Sequence, residues 1–172
     1  MKSKVPRDPY LVVIQAFNRK GVRYVVVGMS GINFYARDAS ETFGTMDYDF
    51  FLEPFLSNVQ KATEALKGLG FSLATSEGIL EIERLKEVVR NRKTIMATTP
   101  YGLMIELLLA VSGFPFSELA KDARTFTDQG VPVRVGKLKK LLISKHLASR
   151  PKDRHFLQRY RHLLEESEKE KG

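Results

Sequence analysis

The chain has 172 residues, of which 43% are hydrophobic, enough for one domain with its own core. It contains no cysteine, which excludes disulfides, thiolate nucleophiles and cysteine-ligated zinc. Its first residues carry no apolar leader and no run of about 18 apolar residues occurs, so we expect a cytoplasmic protein without membrane contact. The net charge of +8 favours a polyanionic partner, and the alternative is a basic surface that only aids solubility.

Helices and strands alternate in the first half of the predicted fold. Apolar residues at helical spacing predict a helix over residues 10–19, and a β-branched run predicts a strand over 22–27. A glycine-bearing turn at 28–31 precedes a second helix over 32–37. After a polar loop, we expect a strand over 45–52 and a helix over 57–69, capped by Ser57 and ended by Gly70.

The second half is predicted to add a hairpin and more helices. Ile79, Ile82, Leu85 and Val89 are spaced by three or four residues, which predicts an amphipathic helix over 76–92. Two strands at 93–98 and 103–109, a short helix from Ser117, a strand at 131–135 and helices at 138–148 and 151–169 follow. The fold class is therefore α+β, a mixed sheet flanked by helices on one side, with residues 1–136 as core and 137–172 as a C-terminal helical hairpin packed on it in a single domain.

Two carboxylates interrupt the apolar strand that contains GTMDYDFFL. Asp47 and Asp49 are two residues apart, so both point to the same face, with their Cα atoms ~6–7 Å apart. Two such charges repel, so that either one is protonated or a cation lies between them. Mg²⁺ is typically held by one or two carboxylates together with substrate phosphates. The alternative is a pair that only ends a strand or caps a loop.

Three further features could complete a site with these acids. Glu106 lies in an apolar strand, which predicts that it is the third acid of the site. The alternative is a glutamate that lies at a sheet edge or is paired with an arginine. The turn from Gly28 to Ser30 presents backbone N–H groups at a helix start, which suits a phosphate, although such turns also form for steric reasons. Lys145 shares a helix face with Leu141, so it either points into a site or extends outward to solvent.

Four segments in this order carry a family resemblance. YVVVGMSGINFY, GTMDYDFFLEP and LMIELLL resemble the nucleotidyltransferase superfamily, which has the polymerase-β-like fold. The segment KLKKLLISKHLASRPKDRHFLQRY is similar to the closing segment of small bacterial nucleotidyltransferases of the abortive-infection toxin type. The resemblance extends from about residue 24 to residue 156.

The resemblance implies a nucleotidyltransferase-like sheet and a metal-dependent enzyme that moves an NMP group from an NTP to a hydroxyl acceptor. Asp47, Asp49 and Glu106 would be the catalytic and metal-binding acids, with Mg²⁺ as cofactor and Mn²⁺ as the alternative. The residues that the resemblance assigns to nucleotide binding are Gly28, Ser30, Thr45, Lys145, Arg150, Lys152 and Asp153.

The basic charge and the toxin-like closing segment favour RNA, such as tRNA, as the acceptor. A protein hydroxyl or a small aminoglycoside-like alcohol is the alternative acceptor. Met29 stands where the family usually has a second small residue, and Glu106 where aspartate is more common. Two other functions therefore stay open: a catalytically inactive nucleotide- or RNA-binding module on the same fold, and a toxin–antitoxin-type protein that binds a partner protein.

Overall fold

The computed structural model describes residues 8–36 and 47–148, which form one mixed sheet with helices packed against it. Among these residues, no helix is both long and apolar enough to cross a membrane. In chain order the elements are α1 (Pro9–Lys20), β1 (Tyr24–Val27), α2 (Gly28–Asn33), β2 (Asp47–Leu52), α3 (Leu56–Gly68), β3 (Ser72–Thr75), β4 (Gly78–Ile79), a 3₁₀ turn (Ile82–Arg84), α4 (Leu85–Arg90), β5 (Ile95–Thr98), β6 (Met104–Leu108), α5 (Phe116–Lys121), β7 (Arg124–Asp128), β8 (Val131–Val135) and α6 (Leu138–Leu147).

The sheet places the predicted acidic strand in its interior. The strand order is β4-β3-β5-β6-β2-β1-β8-β7. β2 runs parallel to β6 and antiparallel to β1, and β1 runs parallel to β8. The α+β class with a mixed sheet is thereby confirmed. Because β2 and β6 are neighbours, their register sets Asp49 directly beside Glu106.

Helices cover both faces of this sheet, so the expectation that they lie on one side is wrong. Phe50 meets Phe17 of α1 edge-on, with ring centroids 5.1 Å apart, and Phe51 meets Phe116 of α5 at 5.4 Å. Successive residues of a strand point to opposite faces, so α1 and α5 lie on opposite sides. Phe50, Phe51 and Leu52 are all buried, because the strand is covered from both directions here.

Helix α1 forms as its sequence predicts. The Asp8 side chain accepts a hydrogen bond of 2.9 Å from the Tyr10 N–H, and Pro9 occupies the first turn. Gly21 ends the helix in the left-handed conformation, with φ of 69°. The helix brings Tyr10 onto the ring of Tyr48, with centroids 4.4 Å apart, which packs its start against β2.

The helix predicted over residues 76–92 is wrong. The chain instead forms the short strand β4, a 3₁₀ turn and the six-residue helix α4. Ile79 is 87% exposed and Ile82 is 67% exposed, so the apolar spacing does not form one buried face. Ser76 and Glu77 form the turn of the β3–β4 hairpin, and Gly78, with φ of 119°, begins β4 in a conformation that no helix contains.

Other boundaries also differ from the sequence predictions. α2 begins at Gly28 rather than at Ile32, so the predicted turn is the first turn of the helix itself. Ser57 does not cap α3, whose N-cap position is Phe55 and carries no side-chain cap. Strand β3 and the edge strand β7 were not predicted, because each is short and partly exposed on both faces. The second helix of the expected C-terminal hairpin, at 151–169, lies outside the described residues.

Candidate active site

Two carboxyl groups meet at the centre of the sheet. Asp49 of β2 and Glu106 of β6 are register partners in parallel strands and share a side-chain hydrogen bond. Burial, followed by the charge of Glu106, its hydrogen bond and the charge of Asp47, raises the pKa of Asp49 to about 7, while Lys145 acts in the opposite direction. Asp49 is therefore partly protonated close to neutral pH.

Gly28 forms the wall behind Asp49. It has φ of 64°, and a Cβ atom built on it would overlap with Asp49 Oδ2 and lie 3.2 Å from Cγ. A larger residue would thus be strained in its backbone and would also displace the carboxylate. The backbone at the end of β1 approaches the acid as closely as it does because this residue is glycine.

Ser30 fixes the backbone of Asp49. Its hydroxyl donates to the carbonyl of Val27 at 2.9 Å and accepts from the N–H of Asp49 at 3.1 Å. The side chain is 2% exposed and does not line the cavity that the acids face. Ser30 therefore joins the end of β1 to β2, whereas the sequence predicted that it would contact a phosphate.

A cavity of about 510 Å³ opens over the acids. Several predicted residues meet there, because the ends of β1, β2 and β6 converge with the last turns of α6. Lys145 belongs to that helix and is half-buried, so it points into the site rather than fully outward. The predicted residues that line the cavity are Gly28, Asp47, Asp49, Glu106 and Lys145.

Sequence reasoning missed two hydroxyl groups in the cavity wall. Ser144 precedes Lys145 in α6, and Ser112 lies in the turn after β6. The signal for Ser144 was its position beside Lys145, and that for Ser112 was the Gly113-Phe114-Pro115 chain break next to it. Both hydroxyls can donate hydrogen bonds to a polar ligand.

The acids offer oxygen ligands of the kind that a hard cation such as Mg²⁺ takes. In the described part of the chain, however, no group of three or more His, Cys, Asp or Glu side chains could hold a metal ion. The predicted three-acid ligand set is therefore not preformed. Asp49 and Glu106 are in direct contact, whereas Asp47 acts on Asp49 through its charge. A bound cation would relieve the repulsion from Glu106 and Asp47 that raises the pKa of Asp49.

Four of the residues assigned to nucleotide binding lie outside the described residues, namely Thr45, Arg150, Lys152 and Asp153.

The comparisons with known proteins add no family or relative. The chain matches no protein-family model, and no curated protein matches it significantly.

Proposed function

We propose that the cavity is the active site of a metal-dependent nucleotidyltransferase, on a sheet of the nucleotidyltransferase-like type. The observation that carries this proposal is the hydrogen-bonded pair of Asp49 and Glu106, half-buried side by side and faced by Lys145. Perturbed acids in a concave site with a cation opposite are typical of catalytic centres. The cavity volume of about 510 Å³ lies in the range that small-molecule ligands occupy.

In this proposal, Asp49 and Glu106 would hold Mg²⁺, or Mn²⁺, and Asp47 would add negative charge beside them. The bound ion would supply Lewis-acid stabilisation of the charge that develops on the phosphates. Lys145 neutralises the triphosphate, and Gly28 lets the backbone approach it without a side chain in the way.

The transfer itself needs one proton acceptor. The acceptor hydroxyl loses its proton to a site carboxylate as its oxygen bonds to the α-phosphorus, and the bond from that phosphorus to the β-phosphate oxygen breaks. Pyrophosphate leaves. The net charge of +8 supports RNA, such as tRNA, as the acceptor.

The test is transfer of α-labelled phosphate from each of the four NTPs to total tRNA, with and without Mg²⁺. We expect labelled RNA that requires Mg²⁺ and that falls at least 100-fold in Glu106→Gln, because the variant loses the carboxylate at the centre of the pair. Glu64→Gln is the matched control, because Glu64 is an exposed glutamate of α3. Equal labelling by both variants, or none with the parent protein under any NTP, would contradict the proposal.

A non-catalytic nucleotide-binding module is the second candidate. It is favoured by one observation, that no set of three acids in the described residues could hold an ion. It predicts NTP binding that survives EDTA and depends on Lys145. The enzyme predicts instead that NTP binding strengthens with Mg²⁺ and that Glu106→Gln removes this gain. Calorimetric titration with a non-hydrolysable NTP distinguishes the two.

A further inference from the structure

A second and larger cavity lies at the opposite end of β1 and is lined by basic residues. Its volume is about 690 Å³. We name it the basic cleft, and its charged lining consists of Arg23, Arg92, Lys121, Arg134 and Glu53. β1 and β2 run antiparallel from this cleft to the acidic cavity, so four residues of strand, or ~13 Å, separate Glu53 from Asp49.

The floor of the cleft is held rigidly by one buried amide. Asn58 accepts from the N–H of Arg23 at 2.8 Å and donates to the carbonyls of Arg23 and Glu53, each at 2.9 Å. These bonds join the start of β1 to the end of β2. The backbone that carries Arg23 is therefore set before any ligand binds, which lowers the entropic cost of binding.

Two guanidinium groups are anchored on the walls. Arg92 Nη1 donates to the carbonyl of Pro54 at 2.7 Å, and Arg134 Nη2 donates to that of Ala120 at 2.9 Å. Each bond joins one nitrogen of a planar five-donor group to a neutral carbonyl, so the charge of the arginine is not cancelled. Arg23 is paired with Glu53 at 3.0 Å. Four cations and one carboxylate give the cleft an excess of positive charge.

An aromatic ring stands beside these cations. Phe55 is 61% exposed, although its size would favour burial. It lines the cleft with Arg92 and Lys121. Exposed aromatic faces next to guanidinium groups and lysines bind the bases and phosphates of a single strand.

We infer that the basic cleft binds a single-stranded polynucleotide. An acidic peptide fits less well, because extended peptides commonly add to an open sheet edge. β1 and β8, the strands that line the cleft, are both interior strands with a neighbour on each side. A polynucleotide needs no such edge, since it offers phosphates to the cations and bases to Phe55. This inference does not depend on the transfer reaction.

The test is fluorescence anisotropy of a labelled 12-nucleotide uridine RNA with the full chain in EDTA and without NTP. We expect Lys121→Glu to weaken binding about tenfold and Phe55→Ala at least fivefold. Lys86→Glu is the charge-matched control, because Lys86 is exposed on α4 and does not line the cleft. Binding should fall between 50 and 200 mM salt, less steeply in Lys121→Glu than in the parent protein.

Several outcomes would overturn the inference. Absence of RNA binding would refute it outright. Binding that falls equally in Lys121→Glu and Lys86→Glu would show only a diffuse charge effect. A fluorescent oligoglutamate peptide that binds more tightly than the RNA would identify an acidic protein segment as the occupant. Because no NTP is present, failure here leaves the proposed transfer untouched, and the reverse also holds.

Discussion

The two ends of strand β1 carry opposite charge. At its C-terminal end, three carboxylates face a cavity with Lys145, and at its N-terminal end four cations surround Glu53. Both cavities are lined in part by α5, through Leu119 on the acidic side and Phe116 on the basic side. One short helix and four residues of strand therefore separate two sites of opposite sign.

The two cavities differ in what each can bind without a cation or proton. The basic cleft attracts anions directly, whereas the acidic cavity repels a triphosphate unless a proton or cation first neutralises its carboxylates. The net charge of +8 does not reveal this arrangement, because it sums the charges of the whole chain. An anionic substrate would be drawn first towards the basic end and would need a cation to enter the acidic one.

The largest effect is expected from Gly28→Ala, which alters the acidic end alone. The new methyl group overlaps with the Asp49 carboxylate in a backbone conformation that costs about 1 kcal/mol. We expect transfer activity to fall about 100-fold, because a displacement of ~1 Å at a catalytic group has that effect. Labelling assays and thermal unfolding measure the two consequences.

Gly70→Ala is the control for this change. Gly70 also has a positive φ, of 90°, but no atom lies within 4 Å of the added Cβ. It should lose about 1 kcal/mol of stability and retain activity. Equal loss of activity in both variants would show that Gly28 matters only through its φ.

The next largest effect is expected at the basic end, from Asn58→Ala. This change removes three hydrogen bonds, at a cost of about 2–4 kcal/mol. The Arg23 N–H loses the bond it donates to Asn58, while the carbonyls of Arg23 and Glu53 still accept from the N–H groups of Glu53 and Phe55. Urea unfolding measures this loss, with the exposed Asn91→Ala as control at near zero. If the two ends are independent, the folded variant keeps Mg²⁺-dependent NTP binding and loses RNA affinity.

The third prediction concerns pH at the acidic end. The folded-state pKa of Asp49 is raised to about 7, so the contribution of this group to the stability of the metal-free protein is fully present below the ordinary aspartate pKa and is lost as pH rises through about 7. Asp49→Asn cannot ionise, so at pH 8 we expect it to be more stable than the parent by about 2 kcal/mol. Unfolding in EDTA at pH 5 and pH 8 tests this; an equal difference at both would contradict it.

The smallest effect is expected from Ser30→Ala, which acts on Asp49 without touching the cavity. It removes the hydroxyl that joins Val27 to the Asp49 N–H, at a cost of about 1–2 kcal/mol. The exposed Ser57→Ala should cost close to nothing, since Ser57 caps no helix. Activity in Ser30→Ala should fall through kcat more than KM, because the acid moves while the NTP contacts stay. Unchanged kcat would show that the bond is only structural.

Strong local signals predicted most of the central sheet. β1, β2, β5, β6 and β8 and helices α1, α3 and α6 lie within a few residues of their predicted positions. Their apolar runs are bounded by glycine or proline, which ends elements for local steric reasons. The helix predicted over 76–92 failed because spacing reports which residues could share a face, not whether anything packs against it. Ile79 and Ile82 remain exposed, since no element covers them.

The sequence by itself determined that two acids share one face of β2 and that a third lies in an apolar strand. Side chains alternate along a strand, which places Asp47 and Asp49 on one face. The apolar residues on both sides of Glu106 place it in an apolar strand. Only the tertiary structure decided that Glu106 lies beside Asp49, that Gly28 makes room for that carboxylate and that Ser30 holds its backbone. It alone brought the basic cleft together from five separate segments. Strand order and register depend on contacts between residues far apart in the chain, which no local pattern encodes.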